Sequence, residues 1–258
     1  MKGETKMRRY FVTADVHGFY NELQSALNDA GFDINNPDHV FVSLGDLFDR
    51  GRQPQECLDF VMNLPEDRRI LIMGNHELLM EDMLRRGSAR SHDIHNGTTQ
   101  TIKDLTGEHD TNVAIQMMRL NKQWAEYFHS CVFYYELGDN IFVHGWIPMI
   151  YEHDKWGNKL GAESYDPAWR VADWEDATWE NGMSAWNYGI IEPGKTIWCG
   201  HWHTSWGNSR FHKLGKEFPE DEAEKKIVFS PFIDEGIVAM DACTAYSGFV
   251  NVKEIDYE

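Results

Sequence analysis

Cysteine is scarce in this 258-residue chain, and its four copies are never paired in sequence. Cys57, Cys131, Cys199 and Cys243 lie far apart with no Cys-x-x-Cys spacing, which argues against a zinc ribbon or a thioredoxin-like site and favours reduced thiols in a cytosol. Long apolar runs are missing too. Nothing approaches the ~18 residues needed to span a bilayer, and the polar stretch Met1 to Arg9 leads straight into a strand-like run. A cytoplasmic protein with no membrane partner is expected. Basic residues are few: 24 Lys and Arg against 42 Asp and Glu give a formal charge of −18. Such a field repels polyanions, so no nucleic-acid partner is expected. It would repel a phosphorylated substrate equally, and any phosphate chemistry on this chain therefore requires bound cations. Repeats, low-complexity tracts and linkers are absent as well, and residues 1–258 are read as one domain.

Aromatic residues are what the chain has in quantity. Ten Trp residues crowd the stretch from Trp124 to Trp206, which must be ordered to shelter them. The first hundred residues repeat one grammar: a short apolar run, a cluster of Gly, Asp, Asn or His at its end, then a helix-like segment. Arg9 to Ala14, His39 to Leu44 and Arg69 to Met73 read as buried strands; Tyr20 to Ala30, Pro54 to Asn63 and Glu77 to Arg86 carry helical spacing. This βαβαβα order predicts a largely parallel sheet. Residues 88–130 read as a polar helical cap. A hairpin is expected from Cys131 to His144, turning at Gly138-Asp139, and late strands at Lys195 to Cys199, Lys226 to Ser230, Gly236 to Met240 and Phe249 to Ile255. The Trp-rich segment before Gly194 shows no clear periodicity.

The strand ends carry the chemistry. They read Asp15-Val16-His17-Gly18, Gly45-Asp46-Leu47-Phe48-Asp49-Arg50-Gly51 and Gly74-Asn75-His76-Glu77; His144 follows a fourth run and Gly200-His201-Trp202-His203 a fifth. In open α/β sheets the carboxyl ends of strands are where sites assemble. Asp15 and His17 are two apart, so an extended backbone points both the same way, and a carboxylate with an imidazole suits zinc, manganese or iron. A single strand-end Asp or His is usually a cap or a satisfied polar group. Coincidence at five strand ends is a far weaker explanation.

In order and spacing these clusters resemble the metallophosphoesterases, and within them the phosphoprotein phosphatase branch that includes calcineurin and the phage lambda phosphatase. The resemblance runs from Asp15 to His201. It implies an α/β (α+β mixed) four-layer sandwich of two mixed β-sheets flanked by helices, with the helical cap. It implies two divalent metal ions, manganese foremost with iron or zinc as alternatives, one held by Asp15, His17 and Asp46 and the other by Asp46, Asn75, His144 and His201. It also implies His76, paired with Asp49, as the acid that protonates the leaving group, and Arg50 with Asn75 as contacts to the phosphate. His203 is a further candidate ligand, because the wider superfamily carries Gly-His-x-His with both histidines binding. Thr178 stands where related phosphatases carry an additional phosphate-gripping Arg, so Arg170, or else Arg210, would substitute. Asn96-Gly97-Thr98 resembles a segment that covers the site in phage-type phosphatases, while His92 and His95 are left without a role. Trp146, Trp202 and Trp206 are read as packing residues or a substrate wall. The activity implied is that of a Ser/Thr protein phosphatase acting on a phosphoprotein or a small phosphomonoester. A symmetrical dinucleoside tetraphosphate hydrolase shares the same clusters and is the alternative enzyme. A catalytically silent metal-binding interaction protein is the alternative from another class, although His76 and the bridging Asp46 are both retained here.

Overall fold

The computed structural model describes residues 7–257. The first half builds β1 (Arg8–Thr13), α1 (Tyr20–Asp29), β2 (His39–Ser43), α2 (Pro54–Asn63), β3 (Arg69–Leu71) and α3 (Asn75–Arg86). Four helices follow: α4 (Ser91–His95), α5 (Thr98–Thr106), α6 (Thr111–Met118) and α7 (Lys122–Ser130). The second half contains β4 (Tyr135–Leu137), β5 (Asn140–Phe142), β6 (Met149–His153), β7 (Lys159–Tyr165), α8 (Gly182–Asn187), β8 (Thr196–Cys199), α9 (Thr204–Gly207), α10 (Glu222–Val228), β9 (Phe232–Asp234), β10 (Ile237–Ala239), α11 (Thr244–Ser247) and β11 (Lys253–Tyr257). Among the described residues no helix is long and apolar enough to cross a membrane, and all four cysteines are unpaired.

Two mixed sheets result. One runs β11-β1-β2-β3, with β1, β2 and β3 parallel and β11 antiparallel at its edge. The other runs β4-β5-β8-β10-β9, with β5, β8 and β10 parallel inside two antiparallel edge strands. The period of two along a strand explains how they stack. Phe11 and Phe41 face the cluster made with α1, α2, α3 and α5 to α7, whereas Tyr10, Val12, Val40 and Val42 point the other way, onto Phe142, Trp198 and Val238 of the second sheet. Ile141 and Ile197 turn outward to the Trp-rich cluster around Trp146, Trp169 and Trp174. The order helix, sheet, sheet, helix is the four-layer sandwich that the resemblance implied.

Local signals set most boundaries. Pro54 occupies the first turn of α2, and α3 ends at Gly87, whose left-handed backbone lets its N–H reach the Met83 and Leu84 carbonyls. The turn at Gly138-Asp139 joins β4 and β5 as expected. The expected strand at Lys226 to Ser230 is a correction: those residues belong largely to α10. Asp221 accepts from the Ala223 and Glu224 backbone N–H groups, and acids in the first turn with lysines in the last complement the helix dipole. The last strand also begins later than expected, at Lys253.

Candidate metal centre

Strand ends from both sheets meet along one rim. The loop after β1 supplies Asp15 and His17, the loop after β2 supplies Asp46, Asp49 and Arg50, and the start of α3 supplies Asn75 and His76; from the second sheet come His144 after β5 and His201 after β8. These loops are strained. Among the described residues eight non-glycine positions have positive φ, and seven of them are Asp15, His17, Asp46, Asp49, Arg50, His201 and Cys243. Such backbone persists only where the surroundings over-determine it, and it concentrates at functional sites. Gly45, at φ +96°, shows the crowding: a Cβ there would lie 2.8 Å from both Gly74 Cα and the His144 ring.

Two sets of donors lie within 4.8 Å of one another, His17 with Asp46 and His76, and Asp46 with His144 and His201. Asp46 is common to both. His17 Nδ1 donates to the Phe48 carbonyl at 2.8 Å and His144 Nδ1 to the Leu44 carbonyl at 2.7 Å, so each ring turns its Nε2 inward. His144 Nε2 then stands 2.8 Å from Asn75 Oδ1 and 3.4 Å from Asp46 Oδ1. Acceptors that close require a proton or a cation between them, and buried Asp, Asn and imidazole donors are a set that fits a divalent ion.

The electrostatics agree. Burial, reinforced by the neighbouring Asp241, pushes the Asp15 carboxyl well above its usual range. Burial acts the same way on Asp46, but His144 and His76 outweigh it and hold that carboxyl well below. Burial would lower His144, yet Asp46 lifts it to about 10. Burial lowers His201 to about 3, and His17 is depressed by burial and then by Arg50, so both imidazoles stay neutral and able to ligate.

Beside the ligands lies a second arrangement. His76 Nδ1 donates to Asp49 Oδ2 at 2.7 Å, and its Nε2 faces the cluster 3.9 Å from Asp46 Oδ2. Arg50 Nη1 donates to His17 Nε2 at 2.8 Å, and its Nη2 lies 3.3 Å from His76 Nε2. One guanidinium thus spans both rings at the mouth.

Some candidates are not brought into the cluster. His203 turns aside: its Nδ1 meets Ser205 Oγ at 2.8 Å, its Nε2 lies 3.7 Å from Glu217, and its ring packs on Phe218. Arg170 spends its donors on Glu136 and Glu192 and stacks over Trp169, so it offers nothing to a phosphate. Arg210 is held by Glu217 at 2.6 Å. Thr178 is buried and donates to the Glu175 carbonyl within its own turn. His92 and His95 engage Asp93 and Ser91 on α4. Trp146 is a core residue that donates to the Ile190 carbonyl. Trp202 stays 37% exposed, and Trp206 packs beneath Arg210.

Other residues enter that the sequence reading gave no role. Asp241 sits at the end of β10 and its carboxyl is raised by burial to about 6; the signal was available, since it ends an apolar run as Asp15 and Asp46 do. Glu77 accepts from the backbone N–H groups of Asp46, Leu47 and Gly74 and from Tyr127 Oη, clamping two ligand loops together. Trp179 stands 48% exposed with its ring edge-on to His201 at 5.7 Å.

Residues 8–205 match the family described as calcineurin-like phosphoesterase. The chain belongs to that family. Members of this family use a pair of divalent cations, and the donor groups gathered around Asp46 are candidate ligands for such ions here. Among relatives, the symmetrical bis(5'-nucleosyl)-tetraphosphatase of Buchnera aphidicola is 38% identical over 72 residues, 28% of this chain and 24% of that protein. The enzyme of the same name from Proteus mirabilis is 41% identical over 68 residues, 26% of this chain and 24% of that protein. The asymmetrical bis(5'-nucleosyl)-tetraphosphatase PrpE of Bacillus subtilis is 28% identical over 118 residues, 43% of this chain and 48% of that protein. The chain spans about a quarter of the length of the symmetrical relatives it matches. A putative diadenosine tetraphosphatase has a similar fold, with TM-score 0.52 and 12% identity over 100% of this chain and 96% of that one. So does a cold-active protein-tyrosine phosphatase of Shewanella, with TM-score 0.52 and 14% identity over 96% and 75%.

Proposed function

We propose that this calcineurin-like phosphoesterase is a phosphomonoesterase acting on phosphorylated Ser and Thr side chains. In this reading Asp15, His17 and Asp46 would hold one divalent ion and Asp46, Asn75, His144 and His201 the other. When bound, the ions supply an activated water and absorb phosphoryl charge. Arg50, free to swing from the two imidazoles, would grip two phosphoryl oxygens bidentately, beside the Asn75 amide. As the water oxygen bonds to phosphorus, the opposite P–O bond breaks and its electron pair stays on the leaving oxygen. His76 Nε2 delivers the proton that neutralises it, and Asp49 holds the ring while positive charge is present. The products are inorganic phosphate and an alcohol.

The observation that carries this reading is the His76 Nδ1 to Asp49 Oδ2 contact of 2.7 Å. A positioned acid matters most for a poor leaving group such as the alkoxide of Ser or Thr. A nucleoside polyphosphate chain leaves with far less help. Burial would lower the His76 pKa, but Asp46 and Asp49 raise it, which keeps the proton available near neutral pH.

A second reading, hydrolysis of dinucleoside tetraphosphates, is favoured by the exposed indole of Trp179, edge-on to His201, and that of Trp202, the next residue in the chain, which offer faces for a purine, and by the names of the relatives. A phosphoserine peptide and diadenosine tetraphosphate, assayed side by side with manganese-loaded protein, separate the two. Higher kcat/KM on the peptide is expected, and the reverse order would transfer the assignment.

A further inference from the structure

Helix α5 packs directly against the loop that carries Asp49 and Arg50. Asp49 is buried, and every contact that fixes its carboxylate comes from a side chain: His76 Nδ1 and Thr98 Oγ1 both at 2.7 Å from Oδ2, and Thr101 Oγ1 at 2.7 Å from Oδ1. A carboxylate only accepts, so both hydroxyls donate their single protons to it. The two threonines are three apart in the first turn of α5, which puts them on one face of the helix. Both are buried, at 0% and 1% exposure, so neither has water as a substitute partner. A threonine in a helix ordinarily bonds back to the carbonyl four residues earlier, as Thr106 of the same helix does to Ile102 at 2.6 Å. Thr98 and Thr101 depart from that habit and reach across to a different loop. The approach is close: Gly97, just before Thr98, has φ +91°, and a Cβ there would come within 2.7 Å of the Arg50 backbone nitrogen.

We infer that Thr98 and Thr101 are positioning residues for the proton donor, pinning both oxygens of Asp49 so that His76 keeps Nε2 aimed at the leaving group. The inference rests on the reading of His76 as acid. Without the hydroxyls the Asp49 carboxylate is free to rotate about its Cβ–Cγ bond, and the imidazole bonded to it loses its fixed bearing. Neither threonine touches substrate or metal ligand, so their removal leaves ion binding and phosphate grip in place. What suffers is the step in which the P–O bond breaks and the departing oxygen takes the Nε2 proton. Cap and catalytic loop are thereby coupled through one carboxylate.

The test compares leaving groups on the manganese-loaded protein. Thr98→Val, Thr101→Val and the double variant preserve side-chain shape and remove only the donor. For the double variant kcat should fall roughly 10- to 100-fold on a phosphoserine peptide and less than about 3-fold on nitrophenyl phosphate, whose leaving group needs little protonation, with KM and bound metal unchanged. Thr98→Ser with Thr101→Ser should restore most of the peptide activity. Equal losses on both substrates, or none on the peptide, would overturn the inference. His76→Asn separates this failure from that of the wider reading: if it too shows no dependence on the leaving group, the acid assignment falls and the inference with it; if it alone shows the dependence, only the threonines' role is lost. Should the double valine variant not fold, the single variants carry the same comparison.

Discussion

At the residue scale the centre is a set of groups held in protonation states that water would not choose. His76→Asn should keep its bound metal, because the proposed ligands are all other residues, yet lose on the order of 10²- to 10⁴-fold in kcat on alkyl phosphates once the Asp49-held acid is gone. Metal analysis and kinetics on one preparation check both halves, and unchanged turnover would remove His76 from the acid role. Asp241 gives a prediction about pH. Its carboxyl is raised by burial from 3.8 to about 6, so the folded protein disfavours the ionised form. The associated stability is present below about pH 4 and is lost as pH rises through about 6. In metal-free protein Asp241→Asn should therefore melt higher than the parent at pH 7.5 and alike at pH 4. Thermal melts at the two pH values decide it, and a gain of equal size at both would show that charge is not the cause. Most of the candidate ligands that the fold gathers were legible because Asp, Asn and His stood at the ends of successive apolar runs. Thr101 was not, and Thr98 was singled out only as part of Asn96-Gly97-Thr98, since a helical threonine looks the same in sequence whether it bonds its own backbone or reaches another loop.

At the element scale, legibility followed how local the determining signal is. Proline at the start of α2, the glycine after α3 and the turn at Gly138 act within a few residues, and these boundaries held. Residues Lys226 to Ser230 misled because Ile227, Val228 and Phe229 look like a strand in isolation, whereas the Asp221 cap that makes them helical lies five residues before Lys226. The hairpin of β6 and β7 was invisible for another reason. Its side chains are mostly exposed on both faces and its pairing slips register twice, so no apolar alternation marks it. The α5 junction yields a prediction of its own. Gly97→Ala adds a methyl group against the Arg50 nitrogen at a positive φ, which should destabilise the fold by about 1–3 kcal/mol and lower activity at the same time. Urea unfolding gives the first quantity; a stability equal to the parent's would mean the cap sits less tightly than the geometry requires.

At the scale of the whole molecule the charge of −18 acts on every encounter with an anionic substrate. Raising ionic strength from low to physiological values screens that repulsion, so kcat/KM on an acidic phosphopeptide should rise while kcat stays level. A steep fall with salt would show that local positive charge at the rim dominates the approach. The architecture explains why a centre so hard to build from one segment arises here: two sheets stack face to face, and the carboxyl ends of their parallel strands open onto the same rim. Asp15, His17, Asp46 and Asn75 belong to one sheet, His144 and His201 to the other. Any ion pair gripped by both sets rivets the sandwich shut at that edge, and chelation should let the halves breathe. Amide exchange would then quicken first in β5 and β8, whose Phe142 and Trp198 form the seam between the layers, long before the outer helices loosen.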